Sequence, residues 1–332
     1  MKAISKTKAA PGVEIVEVAE PSPGPGEVKI ELQAASVCGT DLHIYRWDHW
    51  AASRIKPPRI IGHEFCGIIT ELGPGVTDRQ IGDYVSSESH IVCGHCVSCR
   101  AGQAHVCLNT KILGVDVDGG FAPFVVIPTE NARPTDKSIP PEIACFQDAL
   151  GNAVHTVASA NVDGKNVLIT GMGPIGLFAV TVARAMGAAQ IVVSEVSPFR
   201  INLAEAVGVN AILGPEETLL QQFDVVLEMS GHPSQLQRCL NAVRPGGQVR
   251  LLGVYGDAVQ PIDINKIIFG GLEIQGIVGR RLWQTWDQMH ELLSKNLLNL
   301  EPVITHRMPY TDFEYAMELM QAGKAGKVVF TF

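Results

Sequence analysis

Residues 164–195 read GKNVLITGMGPIGLFAVTVARAMGAAQIVVSE, and this stretch decides the fold of the second half of the chain. GKNVLIT is a short β-rich run that ends in a glycine-rich turn. PIGLFAVTVARAMG follows with helical periodicity, and AQIVVSE is a second apolar strand. Strand, turn, helix and strand make one βαβ unit. The turn is Gly171-x-Gly173-x-x-Gly176, with Pro174 and Ile175 inside it. The first glycine permits the tight turn, the second lets the backbone approach a pyrophosphate, and the third lets the helix pack closely on the strand. The free N–H groups of the helix N-terminus then face the phosphates. Alone the glycine pattern is weak, but the flanking strand and helix are its confirming context. Glu195 ends the second strand nineteen residues after Gly176. A carboxylate there binds a ribose 2′-hydroxyl and repels a 2′-phosphate, which favours NAD over NADP. Arg200 either helps hold the adenosine ribose or lies on a solvated helix face.

Working outward, short and nearly continuous apolar runs recur at DVVLEMSG (224–231), QVRLLGV (248–254) and EIQGIVG (273–279). Such runs are expected of buried parallel strands. GNAVHTVASANV (151–162) and WQTWDQMHELLSKN (283–296) read as helices. Residues 146–285 are therefore expected to form an α/β domain with a doubly wound parallel sheet. Residues 1–145 have a different texture. VEIVEVAEP, VKIELQAAS, IIGHEFCGIITELG, GDYVSSESHIV and GGFAPFVVIPTENARP read as strands between turn-rich connectors. Residues 286–332 end in KVVFTF and read as a helix and a strand able to return to the first domain.

Composition agrees with this division. A chain of 332 residues is long for one core. The net charge of −8, with no Lys/Arg cluster, makes nucleic acid an unsuitable partner. No window reaches 18 apolar residues, and MKAISKTKAAPG has no apolar signal region. A cytoplasmic protein with no membrane partner is expected, whose eight cysteines are metal-bound or free rather than disulfide-bonded.

Two cysteine and histidine patterns carry chemistry. Cys93-x2-Cys96-x2-Cys99-x7-Cys107 lies in a lobe spanning 90–110. Four thiolates at this spacing close a tetrahedron around Zn²⁺ and leave no open position, as structural sites do. His95 and His105, in the same lobe, read as exposed loop residues. The second pattern is CGTDLHIYRWDHWAASRIKPPRIIGHE (38–64). Cys38, His63 and Glu64 offer the three donor types zinc accepts. Glu64 adjoins His63, so on a strand it would point the other way unless the backbone turns; it is read either as a ligand or as a group behind one. Thr40 and His43 offer a hydroxyl and an imidazole able to move a proton. Asp148, in FQDALGN, is a fourth carboxylate candidate. Cys66, Cys145 and Cys239 sit in apolar runs and read as small buried hydrophobes.

Together these residues resemble the zinc-dependent medium-chain alcohol dehydrogenases over essentially the whole chain. Within that superfamily, CGTDLHIYRWDHWAASRIKPP, GNAVHT and GRRLWQTW resemble the branch acting on L-threonine; polyol and 2,3-butanediol dehydrogenases share the zinc motifs and are the alternative. The resemblance implies a GroES-like catalytic domain with a Rossmann domain inserted, an active site in the cleft, and a homotetramer. By position, Cys38, His63 and Glu64 match the catalytic zinc, Cys93, Cys96, Cys99 and Cys107 the structural zinc, and Thr40 and His43 the proton relay. Asp148 matches a carboxylate that assists the zinc or the relay. Leu252, Gly253 and Val254, with Ile277 and Val278, match loops holding the nicotinamide half of NAD. The implied reaction is zinc-assisted hydride transfer from the L-threonine β-carbon to NAD, giving 2-amino-3-oxobutanoate. Two departures stand out: Ala149 replaces the usual proline after Asp148, and the crossover 210–228 is shorter than the family's. Trp47, His49 and Trp50 either cover the site or anchor their loop, and Arg280, Arg281 and Trp283 either enclose substrate or face another subunit. His90 lies behind the catalytic metal or is an ordinary strand residue.

Overall fold

The strand Glu27–Ser36 is the spine of the first unit. Val28, Ile30, Leu32 and Ala34 are buried while Glu31 and Gln33 are exposed, the alternation of a sheet with one wet face. This strand pairs antiparallel with Glu64–Leu72, Phe124–Pro128 and Lys327–Thr331. Its register sets Ser36 opposite both Glu64 and Val329. Tyr84–Ser87 and Ala132–Pro134 extend the sheet on one side, and Ile304–Pro309 extends it parallel to Lys327–Thr331 on the other. The returning segment fills the core of this unit. Phe330 packs on Phe121 with ring centroids 5.4 Å apart, and Phe313 lies 5.7 Å from Phe121.

This computed structural model describes residues 1–332 except 215, 216, 218–221 and 258. Within the crossover 210–228, residues 215, 216 and 218–221 lie outside the described residues. The chain divides into two compact units, Met1–Ala149 with Ile304–Phe332, and Leu150–Val303.

In the second unit the described residues form a parallel sheet. Its order is Ala211–Leu213, Gln190–Ser194, Asn166–Thr170, Phe223–Glu228, Val243–Leu251, Glu273–Gly276. Three strands are laid down outward in one direction, and the next three on the other side of Asn166–Thr170. The order therefore reverses between Asn166–Thr170 and Phe223–Glu228, where a doubly wound sheet opens its binding crevice. Pro174–Ala185 and Pro198–Val207 are among its helices.

Three local readings are refined. Two short helices, Gly39–Arg46 and His49–Arg54, occupy the stretch after Cys38. The run GDYVSSESHIV splits into Tyr84–Ser87 and His90–Ile91. Between them the Glu88 carboxylate accepts the His90 N–H at 2.9 Å and turns the chain out of the sheet. Finally, Pro233–Ala242 is a helix whose Leu236, Cys239 and Leu240 are buried. Its polar residues mask a face only two turns long.

Candidate active site

Cys38 lies two residues after the end of the spine strand, and Glu64 is the first residue of the strand beside it. His63 precedes that strand, after Gly62 at φ 90°. A Cβ on Gly62 would lie 2.3 Å from the Phe121 ring, so only glycine makes this turn. Because His63 lies in the turn and not in the strand, strand alternation does not separate it from Glu64. The donor atoms of Cys38, His63 and Glu64 all lie within 4.8 Å of one another. Asp148 is not part of this group. Its Oδ1 accepts the Ser89 N–H at 2.9 Å.

Glu64 is only 1% exposed. Its Oε2 meets the Ser36 hydroxyl and the buried Lys327 ammonium, while Oε1 has no hydrogen-bond partner. Burial disfavours charge on Lys327, yet Glu64 and Cys38 raise its pKa. Asp41, fully buried, accepts the Cys38 N–H at 2.8 Å through Oδ2 and sets Oδ1 4.0 Å from His63 Nδ1. Burial pushes the Asp41 carboxyl up to about 6, against the pull of His63 and the Cys38 N–H. Burial likewise opposes a charged His63, but Cys38, Asp41 and Glu64 raise it to about 10. A cluster that drives a buried imidazole to hold a proton is one that calls for a cation. A thiolate, an imidazole and a carboxylate with a spare oxygen fit zinc in its open, catalytic form. Asp41 and Lys327 are the functional neighbours that sequence reading missed. Asp41 was legible as the carboxylate three residues after Cys38, in the first helical turn. Lys327 gives no local signal.

The four-cysteine lobe forms a second donor group, with Cys93, Cys96, Cys99 and Cys107 sulfurs within 4.8 Å of one another. The N–H groups of Cys93 and Asn109 reach Cys107 Sγ at 3.4 and 3.3 Å. The Asn109 side chain donates to Cys93 Sγ at 3.5 Å. Asn109 leads the groups that lower the Cys93 thiol to about 5, whereas burial pushes Cys99 up to about 12. Sulfurs solvated by N–H groups and packed this closely fit a closed zinc site. His95 turns its Nδ1 to the Cys93 carbonyl at 2.7 Å.

Thr40 and His43 sit three residues apart on Gly39–Arg46, hence on one face. The Thr40 hydroxyl lies 3.9 Å from the Cys38 sulfur, and the His43 side chain is 58% exposed. The pair thus runs from the metal donors to solvent. Trp47 anchors its loop: it ends the helix at φ 54°, and the Lys6 ammonium stands 4.7 Å over its ring. Trp50 packs edge-on against His43 at 6.0 Å.

In the second unit the glycine turn has the geometry its sequence implies. Gly171 has φ 83°. A Cβ on Gly176 would fall 2.0 Å from the Gly171 carbonyl oxygen, whereas one on Gly173 meets nothing within 4 Å. Gly173 caps the twelve-residue helix Pro174–Ala185, with Pro174 in its first turn, so the empty space fronts free N–H groups. That is room for a pyrophosphate. Glu195 accepts the Met172 N–H at 2.8 Å and those of Val196 and Ser197 at 2.7 and 2.9 Å, with Arg200 3.9 Å away. Leu252 and Gly253 donate to the Glu228 carbonyl at 2.9 and 3.1 Å, and Ile277 to that of Leu251 at 2.8 Å. Val254 and Val278 are exposed beside them. All these residues follow the carboxyl ends of parallel strands, where this architecture binds nucleotides. Arg280 is buried against Gly151, Arg281 donates its backbone N–H to Thr285, and His155 Nδ1 meets the Gly279 carbonyl at 2.9 Å.

Residues 24–137 match the family model "Alcohol dehydrogenase GroES-like domain", and residues 174–295 match "Zinc-binding dehydrogenase". The chain is 54% identical over 342 aligned positions to an L-threonine 3-dehydrogenase of Pyrococcus abyssi, covering 99% of this chain and 98% of the relative. The L-threonine 3-dehydrogenase of Pyrococcus horikoshii is similar to the same extent, at 54% identity with 99% and 98% covered. Among solved structures, one described as a short chain alcohol dehydrogenase of E. coli CFT073, complexed with NADH, superposes with a TM-score of 0.92. It shares 27% identity, with 100% of this chain and 99% of that one covered.

Two measurements probe these sites. Lys327→Met strands the Glu64 carboxylate without its cation, and urea unfolding of the chelated protein should show a loss of about 3–5 kcal/mol. Gly173→Val fills the space before the helix at an ordinary φ of −67°. Its melting temperature should hold while NADH binding by calorimetry weakens at least about tenfold.

Proposed function

The chain belongs to the zinc-binding medium-chain alcohol dehydrogenases, and from that premise we propose that it oxidises L-threonine at the β-hydroxyl to 2-amino-3-oxobutanoate with NAD. The Cys38, His63 and Glu64 donor trio beside a buried Lys327 carries the reaction class. The substrate rests on the full-length likeness to L-threonine 3-dehydrogenases. Zinc held by the trio would polarise the substrate hydroxyl, and NAD in the Gly171–Gly176 cradle would take the hydride. Asp41 faces the imidazole of His63 at 4.0 Å and acts on it by charge, and Lys327 with Ser36 fixes one oxygen of Glu64. Thr40 takes the proton leaving the hydroxyl, and His43 hands it to solvent. Glu195 sets the adenosine end and selects NAD over NADP by charge, with Arg200 beside it. Asp148 lies outside the donor trio, accepting the Ser89 N–H, and Cys93, Cys96, Cys99 and Cys107 would hold a second, structural zinc.

The proposed assembly is a homotetramer. Val259, Ile264, Ile268 and Phe269 are exposed on and beside the helix Ile264–Gly270, with Phe269 at 85%. Glu273–Gly276 next to it is an edge strand. An apolar patch beside an open strand edge suits self-association. The proposed compartment is the cytoplasm, which suits a chain whose eight cysteines form no disulfide. No described helix is long and apolar enough to cross a membrane.

NADH formation read at 340 nm, with metal analysis, tests the assignment. L-Threonine should be turned over faster than sorbitol or 2,3-butanediol, with two zincs per chain. Faster oxidation of either polyol would replace the substrate. Cys38→Ser and His43→Ala should each lower kcat by about a hundredfold or more without unfolding the protein. Phe269→Glu should sediment as a smaller species than the parent.

A further inference from the structure

The chain leaves the helix Gly39–Arg46 through Trp47 in the left-handed region. The Trp47 N–H returns to the Ile44 carbonyl at 3.2 Å, and the Asp48 N–H to that of His43 at 3.4 Å. This turn folds Asp48 back over the residue five positions before it. Asp48 Oδ2 meets His43 Nδ1, while Oδ1 accepts the Ala51 N–H at 3.0 Å and caps His49–Arg54. Trp50, on that capped helix, closes on the His43 ring from the side at 64° between planes. Trp47 itself is pinned by Lys6, whose ammonium donates to the Gly12 carbonyl at 2.6 Å. The carboxylate is thus fixed at one end by a helix and presents its other end to the imidazole.

We infer that Asp48 is a positioning residue of the proton exit, holding His43 as an aspartate–histidine dyad whose Nε2 exchanges protons. The inference rests on the proposed relay role of His43. A carboxylate at Nδ1 fixes the tautomer with Nδ1–H and leaves Nε2 as the acceptor. One carboxylate thus caps a helix with one oxygen and holds the ring with the other, and two substitutions separate these. Serine keeps the helix cap but is too short to reach the ring. Asparagine can cap equally well and its amide oxygen can still accept the Nδ1 proton. Other titratable groups stand on the packed elements: Arg46 on the same helix, His49 and Arg54 on the next, and Glu314 and Glu318 on Phe313–Gln321. Among the described residues, Asp48 is the one that hydrogen-bonds the His43 ring.

The test is kcat for L-threonine oxidation in zinc-loaded enzyme. Asp48→Ser should lower it about tenfold, and Asp48→Asn, whose amide oxygen still accepts the Nδ1 proton, should recover most of that loss. KM, zinc content and melting temperature should stay near the parent's. The double variant His43→Ala/Asp48→Asn should be no slower than His43→Ala alone, since the carboxylate acts through the ring. Parent-like kcat in Asp48→Ser, or equal losses in Asp48→Ser and Asp48→Asn, with His43→Ala impaired, overturns the dyad and spares the relay. Additive losses in the double variant also overturn it. Parent-like turnover by His43→Ala removes the relay reading itself.

Discussion

Glu64 and Lys327 form an ion pair with almost no access to water, 1% and 2% exposed, between residues 263 positions apart. Taking two charges out of water is costly, and their attraction offsets that cost only with good geometry and further hydrogen bonds. Here the sheet supplies the geometry. Ser36 stands opposite Glu64 on one side and two residues from Lys327 across the other, so its hydroxyl and the Val37 carbonyl complete the ammonium's partners. One carboxylate oxygen is consumed by this arrangement and the other is left for a cation. The metal-donor trio therefore depends on a register between three strands drawn from the beginning, the early middle and the far end of the chain.

The same economy recurs around it. Asp41 satisfies the backbone of Cys38 with one oxygen and faces His63 with the other. Asp48 caps a helix with one oxygen and meets His43 with the other. Glu195 spreads its two oxygens over the glycine turn and the loop after its own strand. In each case a carboxylate ties a backbone segment to a functional group, so local folding and site geometry cannot vary separately.

The sequence was most informative where chemistry and backbone conformation coincide. Gly171, Gly173 and Gly176 could be read because the turn excludes side chains at two positions and leaves space at the third. The four-cysteine spacing was equally transparent, since four thiols within fifteen residues suit a closed zinc site better than redox or disulfide chemistry. Cys38, His63 and Glu64 could be proposed as a set, but the route by which adjacent residues face one point needed Gly62 and the late start of the strand. Lys327 was invisible because its partner is fixed by long-range pairing, and a lysine before an apolar run ordinarily reads as a solvated strand end. Pro233–Ala242 was missed because its buried face is short and interrupted by glutamine and arginine.

The topology also has a consequence for how the protein is made. Synthesis proceeds from residue 1, so Cys38, His63, Glu64 and the lobe cysteines emerge long before Lys327, Phe313 and Phe330. The strand that completes the first unit's sheet, and the aromatic rings that fill its core, arrive only after the whole of Leu150–Val303 has been translated. Domains usually fold in the order of synthesis. Here the interrupted unit cannot finish first. Its thiols wait, open to adventitious metals and oxidants, while the inserted unit folds ahead of it. The part made earliest is thus the part whose sheet and core close last.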